Sequence, residues 1–311
     1  MRAYMVPEFG ASGTIGERPV PEPAEGQILV RVRAAGVNAM DAIMVMGVYK
    51  DFMEHRLPLT PGLDYAGTVE AIGPEVEGIA VGDEVFGNVG KMYLGEGSFA
   101  EHVTATAALA ARRPDGLSVV QAAALPLAGG TALAAVDAAG IGPGDPIVFV
   151  GAAGGVGGFA TQLAARRGAR VIAVTSPANL DHVRSLGAAD VIDRTAGDVA
   201  EHVRQRIPDG VAALIDNFHD AQGLVSLASV VRPGGRIISP IAQGGDQVLA
   251  GLPLTFHLVQ AAVGRAGELG DLVTRGALTV TVESLPLAQA ADAISRQATR
   301  QVRGKLVLVV E

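Results

Sequence analysis

The chain has 311 residues, of which 49% are apolar and 18% charged, with 41 glycines and no cysteine. At about 100–200 residues per domain the length points to two domains, and an apolar content this high excludes a disordered chain. Twenty-four basic against 32 acidic residues give −8, which argues against nucleic acid or an anionic membrane as partner, and the lack of cysteine excludes disulfides, a thiolate nucleophile and Cys-ligated zinc.

The first residues show no apolar h-region and no cleavage pattern. The longest apolar-rich stretch, 119–141, is broken by Gln121, Pro126, Gly129, Gly130, Thr131 and Asp137. A membrane span needs about 20 predominantly apolar residues, so a cytoplasmic protein is expected.

The first third reads as β-rich. Ile28, Val30, Val32 and Ala34 alternate with Arg31 and Arg33, the period-2 pattern of a strand with one wet face. Short apolar runs at 65–72, 84–86 and 98–103, separated by turns such as Gly73-Pro74 and Gly82-Asp83, predict a compact, partly closed antiparallel barrel. The middle then changes character. Strands are predicted at 146–150, 171–174, from 191, at 212–215 and at 236–239, alternating with helices at 159–167, 180–186, 199–206 and 224–231. Continuous apolar strands alternating with helices predict a parallel sheet covered on both faces. The tail from residue 265 reads as a helix, a strand at 278–282, a helix at 286–300 and a final strand at 305–310.

Gly151-Ala152-Ala153-Gly154-Gly155-Val156-Gly157 directly follows the strand at 146–150 and opens a helix. Glycines there permit the tight turn, close backbone approach to a pyrophosphate and close helix–strand packing, and the helix N-terminus supplies free N–H groups. Dinucleotide binding is expected. An NAD site places Asp or Glu at the end of the next strand to bond the ribose 2′-OH. Here that end reads Val174-Thr175-Ser176-Pro177-Ala178-Asn179, without a carboxylate, and the third strand ends in Ile192-Asp193-Arg194. Thr175, Ser176, Asn179 and Arg194 therefore point to the 2′-phosphate of NADPH, with Arg300 and Arg303 as further sources of charge. Arg194 also reads as a solvated surface residue.

Other motifs stand in a fixed order along the chain. They are Gly36-Val37-Asn38-Ala39-Met40-Asp41, Pro61-Gly62-Leu63-Asp64-Tyr65-Ala66-Gly67 and Val81-Gly82-Asp83-Glu84-Val85-Phe86-Gly87. Gly97-Ser98-Phe99-Ala100-Glu101, Ala124-Leu125-Pro126 with Thr131-Ala132, and Arg303-Gly304-Lys305 follow. In these segments the chain resembles the medium-chain dehydrogenase/reductase superfamily, specifically its zinc-independent, zeta-crystallin-like quinone oxidoreductase branch. The resemblance implies an α/β fold: a GroES-like, β-rich catalytic domain from 1–117 and 265–311, and a Rossmann domain with a doubly wound parallel sheet over 118–264. The nicotinamide is expected in the cleft between them. Zinc-dependent relatives carry a catalytic Cys where this chain has Asn38, and a His-Glu pair where it has Leu63-Asp64. They also carry a four-Cys loop near 85–100 for which no residues exist here. The six histidines show no close ligand spacing, so no metal is expected.

A nicotinamide supplies the hydride chemistry, and the protein must hold its C4 against an acceptor and exclude water. Without zinc, alcohol oxidation loses its Lewis acid. Quinones and α,β-unsaturated carbonyls instead delocalise the arriving charge over their own oxygen. The resemblance implies that Asn38, Asp41 and Tyr49 line the nicotinamide side: Asn38 to donate an amide N–H, Asp41 to orient a neighbour, and Tyr49 to donate its phenol or stack. Thr131, in a Gly-rich turn, is a candidate nicotinamide contact, and Asn217 is a further cofactor candidate. Three departures stand out. Ile43 replaces a second tyrosine, a 2′-phosphate lysine is missing around Asn179-Leu180, and Asn217-Phe218-His219 put bulk where relatives have small residues and Gly.

The expected function is NADPH-dependent hydride transfer to a small-molecule quinone or enone. The alternatives are an enoyl-thioester reductase and a non-enzymatic NADPH-binding protein. A phosphopantetheine arm wants a basic entrance, and no dense Lys/Arg patch is visible near these motifs. The resemblance also implies a homodimer joined through the last Rossmann strand, placed at 236–239 with Ile237-Ile238 as its apolar edge.

Overall fold

The alternation at 28–34 lies within the strand Gln27–Val37, with Val30, Val32 and Ala34 buried and Arg31 and Arg33 in solvent. This computed structural model describes residues 1–300 and 302–311. Gln27–Val37 pairs antiparallel with Asp64–Ile72, His102–Thr106 and Lys305–Val309, so the end of the chain lies against its first third. The seven-stranded sheet runs Val282–Pro286, Lys305–Val309, Gln27–Val37, Asp64–Ile72, Glu84–Asn88 and Ala110–Arg112, with His102–Thr106 on Gln27–Val37. Tyr65, Phe99, Val30 and Leu306 belong to the core beneath it. The chain forms two compact units, Met1–Gly130 with Val263–Glu311, and Thr131–Ala262.

Several boundaries depart from the sequence pattern for local reasons. The strand expected at 98–103 begins at His102, because Ser98 turns away to donate to the Asp64 carbonyl at 2.7 Å. The strand expected at 278–282 is Val282–Pro286, parallel to Lys305–Val309. Leu278 and Val280 are buried in the segment before it. The helix expected at 224–231 is Ala221–Ala228, started by Asp220, whose carboxylate accepts the Gly223 N–H at 2.9 Å. The Gly129-Gly130-Thr131 turn is not a turn at all. These residues lie inside the helix Pro126–Ala139, where a Cβ on Gly129 would meet Leu269 at 2.6 Å.

The second unit carries six parallel strands in the order Asp190–Asp193, Arg170–Thr175, Pro146–Val150, Val211–Asp216, Val231–Ser239 and Thr255–Leu258. Strand order reverses between Pro146–Val150 and Val211–Asp216, the switch point at which such sheets bind ligands. The expected edge at 236–239 is corrected: Thr255–Leu258 covers it, and Ile237 and Ile238 are fully buried. Among the described residues no helix is long and apolar enough to cross a membrane.

Candidate functional site

Four polar residues of the first unit, Asn38, Asp41, Asp64 and Lys305, are buried together. Buried charge persists only when paired and hydrogen-bonded. Asp41, in the first turn of the helix Ala39–Val45, accepts the Asn38 N–H at 2.8 Å and the Gly62 N–H at 3.2 Å. It thereby ties the helix start to the Pro61-Gly62 turn. Asp64 accepts Nδ2 of Asn38 at 3.0 Å, Nδ2 of Asn88 at 3.1 Å and the N–H of Leu127 at 3.1 Å. The last of these places a carboxylate at the N-terminus of Pro126–Ala139, where the helix dipole favours it. The Lys305 ammonium donates to the Val37 carbonyl at 2.8 Å and to Oδ1 of Asn38.

Burial governs the protonation of all three charged groups. It pushes Asp41 up to about 7, with repulsion from Asp64 adding to the rise and Lys305 opposing it. Burial also raises Asp64 against the pull of Lys305, and lowers Lys305 against both carboxylates. A proton held on Asp41 near neutral pH leaves Asp64 and Lys305 as one compensated pair. The Asn38 amide is engaged at both ends, so it works as a strut between Lys305 and Asp64. Tyr49 is partly buried against the same core, beside the exposed Val48 and Phe52.

A second cluster flanks the Pro61-Gly62 turn. Lys91 and Tyr93 both reach Oε2 of Glu96, at 2.8 and 2.5 Å, and the Arg56 guanidinium lies 3.9 Å from the Tyr93 ring centre. A cavity of about 30 Å³ borders Lys91, Tyr93, Glu96, Gly62, Leu63 and Met44. Sequence reasoning missed this cluster and the role of Lys305. The available signal for the latter was a lone lysine heading the apolar strand Lys305–Val309.

In the second unit, the glycine turn occupies the carboxyl end of Pro146–Val150, with Gly151 at φ +81°. The N–H groups of Gly151 and Ala152 bond the Val174 carbonyl at 3.2 and 3.3 Å, and the helix Gly155–Arg166 begins three residues later, with Gly154 as its N-cap. Val156 and Gly157 complete its first turn. The expected 2′-phosphate set converges on neighbouring strand ends. Thr175 pairs with Asp193, the Arg194 N–H bonds the Thr175 carbonyl at 2.9 Å, and Nδ2 of Asn179 donates to Ser176 Oγ at 3.0 Å. Asn217 stands against the turn: its carbonyl oxygen lies 3.7 Å from where a Cβ on Gly151 would sit. Thr131 is buried in its helix. Arg300 and Arg303 are exposed in the C-terminal segment of the first unit.

Residues 24–115 match the alcohol dehydrogenase GroES-like domain family, and residues 186–308 match the zinc-binding dehydrogenase family. The chain is 31% identical over 322 residues to NADPH-dependent alkenal/one oxidoreductase of Arabidopsis thaliana, covering 99% of this chain and 79% of that protein. It is 33% identical over 247 residues to 2-methylene-furan-3-one reductase of Solanum lycopersicum, covering 76% of this chain and 61% of that one. The solved quinone oxidoreductase from Coxiella burnetii is similar with a TM-score of 0.89 and 30% identity, covering 100% of this chain and 99% of that one.

Proposed function

The chain belongs to the medium-chain dehydrogenase/reductase superfamily, and from that membership we propose that it is an NADPH-dependent reductase passing a hydride to a quinone or an α,β-unsaturated carbonyl. The observation that carries the reading is the convergence of Thr175, Ser176, Asn179 and Arg194 beside the Gly151 turn, with no carboxylate closing the strand Arg170–Thr175. The relatives named for alkenal and furanone reduction support the choice of acceptor.

Bound NADPH supplies the hydride. The N-terminus of Gly155–Arg166 attracts the pyrophosphate, while the hydroxyls, Asn179 and Arg194 neutralise the 2′-phosphate. In the first unit, Asp41, Asn38 and Lys305 hold the helix Ala39–Val45 and the Pro61-Gly62 turn in one shape. Tyr49, partly exposed on the segment after that helix, donates its phenol to the acceptor oxygen as charge arrives there.

Zinc does not fit this chain. Asn38 and Leu63 offer an amide and an alkyl group, and the Asp64 oxygens are taken by Asn38, Asn88 and Leu127. Among the described residues no group of three or more His, Cys, Asp or Glu could hold a metal.

The test follows NADPH oxidation with 1,4-benzoquinone and with a simple enone, in the presence of a chelator. Turnover is expected with both cofactor and acceptor present, and its absence with every acceptor would remove the enzymatic reading. Arg194→Ala is expected to raise the KM for NADPH roughly tenfold or more, the effect of ~1.5–3 kcal/mol for a charge-assisted hydrogen bond, with NADH kinetics little changed. An unchanged NADPH/NADH ratio would return Arg194 to the solvated surface.

We also propose a homodimer, now through Thr255–Leu258, the outer strand of the parallel sheet, where Leu258 is 42% exposed. Among the described residues no strand pairs with its outer side, and such an open edge invites its own copy. Light scattering at micromolar concentration should give twice the chain mass, and Leu258→Lys should shift it toward monomer. A monomeric wild type would sink the assignment.

A further inference from the structure

Asp216 ends the strand Val211–Asp216 fully buried, at the switch point of the sheet and paired in register with Val150. One carboxylate oxygen accepts the N–H groups of Phe218 and His219, each at 2.8 Å, and the other lies 2.8 Å from Nδ1 of His219. The chain is thereby wound into a tight turn around a single carboxylate, and Nδ1 carries its proton toward Asp216.

The imidazole is clamped. Phe218 meets it edge-on, with ring centres 5.0 Å apart at 82°. On another side lies Gly223, where a Cβ would fall 2.7 Å from the His219 Cβ and 3.1 Å from its Cδ2. A side chain at 223 would displace the ring, so glycine there and histidine at 219 belong together. The side chain nevertheless keeps 34% of its surface exposed. The same turn presses against the phosphate-binding loop through Asn217, next to Gly151.

We propose that His219, oriented by Asp216, is a pyrophosphate-binding residue, donating from Nε2 to a phosphate oxygen of the bound dinucleotide; this rests on the dinucleotide reading above. The glycine turn and helix dipole act from the Pro146–Val150 side of the switch point. His219 acts from the Val211–Asp216 side, so the phosphates receive donors from both. A charge-assisted bond is roughly twice as strong as a neutral one, which gives the bulk at 217–219 a use. The competing anion is the 2′-phosphate, since the Arg194 guanidinium comes within 5.8 Å of the Phe218 ring centre.

NADH and NADPH separate the two, because both carry the pyrophosphate and one carries the 2′-phosphate. Wild type, His219→Gln and His219→Ala are titrated with each, following nicotinamide fluorescence, and each protein is melted thermally. His219→Gln, whose amide can still donate to Asp216, is expected to melt near wild type, and His219→Ala, which strands the buried carboxylate, lower; both should bind both dinucleotides roughly tenfold more weakly. The gap between wild type and His219→Gln should narrow in 1 M salt, where the Debye length falls to about 3 Å. A loss confined to NADPH would assign the imidazole to the 2′-phosphate and overturn the proposal. Unchanged constants for both dinucleotides, or a loss that salt does not touch, would overturn it too. A wild type that binds neither takes the proposal down with the dinucleotide reading, and is recognised because the unmodified chain is itself silent.

Discussion

Lys305→Met is expected to cost about 3–5 kcal/mol, the usual penalty for stripping a buried charge of its partner. Many domains hold only about 5–15 kcal/mol in total, so this variant should sit near its unfolding limit. Lys305 is 2% exposed, and it is the cation acting on both Asp64 and Asp41. Adding Asp64→Asn removes the stranded anion and should recover part of the loss. Recovery stays partial, because Asp64 accepts from Asn38, Asn88 and Leu127, and an amide NH₂ cannot accept from all of them. The cost should also depend on pH. Without the ammonium, both carboxylates sit further above their unfolded values, so the folded state binds more protons and loses stability as pH rises from about 4 upward. The variant is therefore harmed less at pH 5 than at pH 8. Urea melts at both pH values measure this. Additive effects of the two substitutions, or a Lys305→Met protein as stable as wild type, would show that no ion pair is buried there.

The frame of that cluster was half visible in the sequence. Asn38 and Asp41 stand three apart at a helix start, and the capping bond from the Asn38 N–H to Asp41 is local. Lys305 was not visible, because its partner Asn38 lies 267 residues away, and one lysine before an apolar run reads as the ragged end of a strand. The dinucleotide crevice was more accessible, since strand, glycine turn and helix are contiguous, and Thr175 and Arg194 meet simply because their strands are neighbours. The failures follow the same logic. Gly129-Gly130 looked like a turn, but the missing Cβ at 129 makes room for Leu269, a contact no local pattern announces. The sheet edge was misplaced because Thr255–Leu258 has four residues, too few for a period to show.

Gly154 and Gly157 should answer differently to the same added methyl group. In Gly157→Ala the Cβ would lie 2.2 Å from the Gly151 carbonyl oxygen and 2.6 Å from the Ala152 Cα. Both are backbone atoms, so the helix Gly155–Arg166 must back away from the turn that it extends. That helix buries Phe159, Ala160, Leu163 and Ala164, and displacing it should cost about 1–3 kcal/mol or more. Its N-terminal N–H groups move with it, so NADPH affinity should fall a hundredfold or more, about 2.8 kcal/mol at 1.4 kcal/mol per decade. Gly154 is different. Its φ is −77°, and the nearest atom to an added Cβ is the Gly151 carbonyl oxygen at 3.7 Å. The backbone accepts Ala there, and stability should stay within about 0.5 kcal/mol of wild type. The methyl group nonetheless stands at the N-cap, where the pyrophosphate must approach the chain, and affinity should fall tenfold or more. Thermal melts and fluorescence titrations of the two variants thus separate packing from ligand contact. A Gly154→Ala protein that binds NADPH as wild type does would mean the phosphates never touch this turn. A Gly157→Ala protein with wild-type stability and affinity would mean that helix and strand have slack the structure does not display.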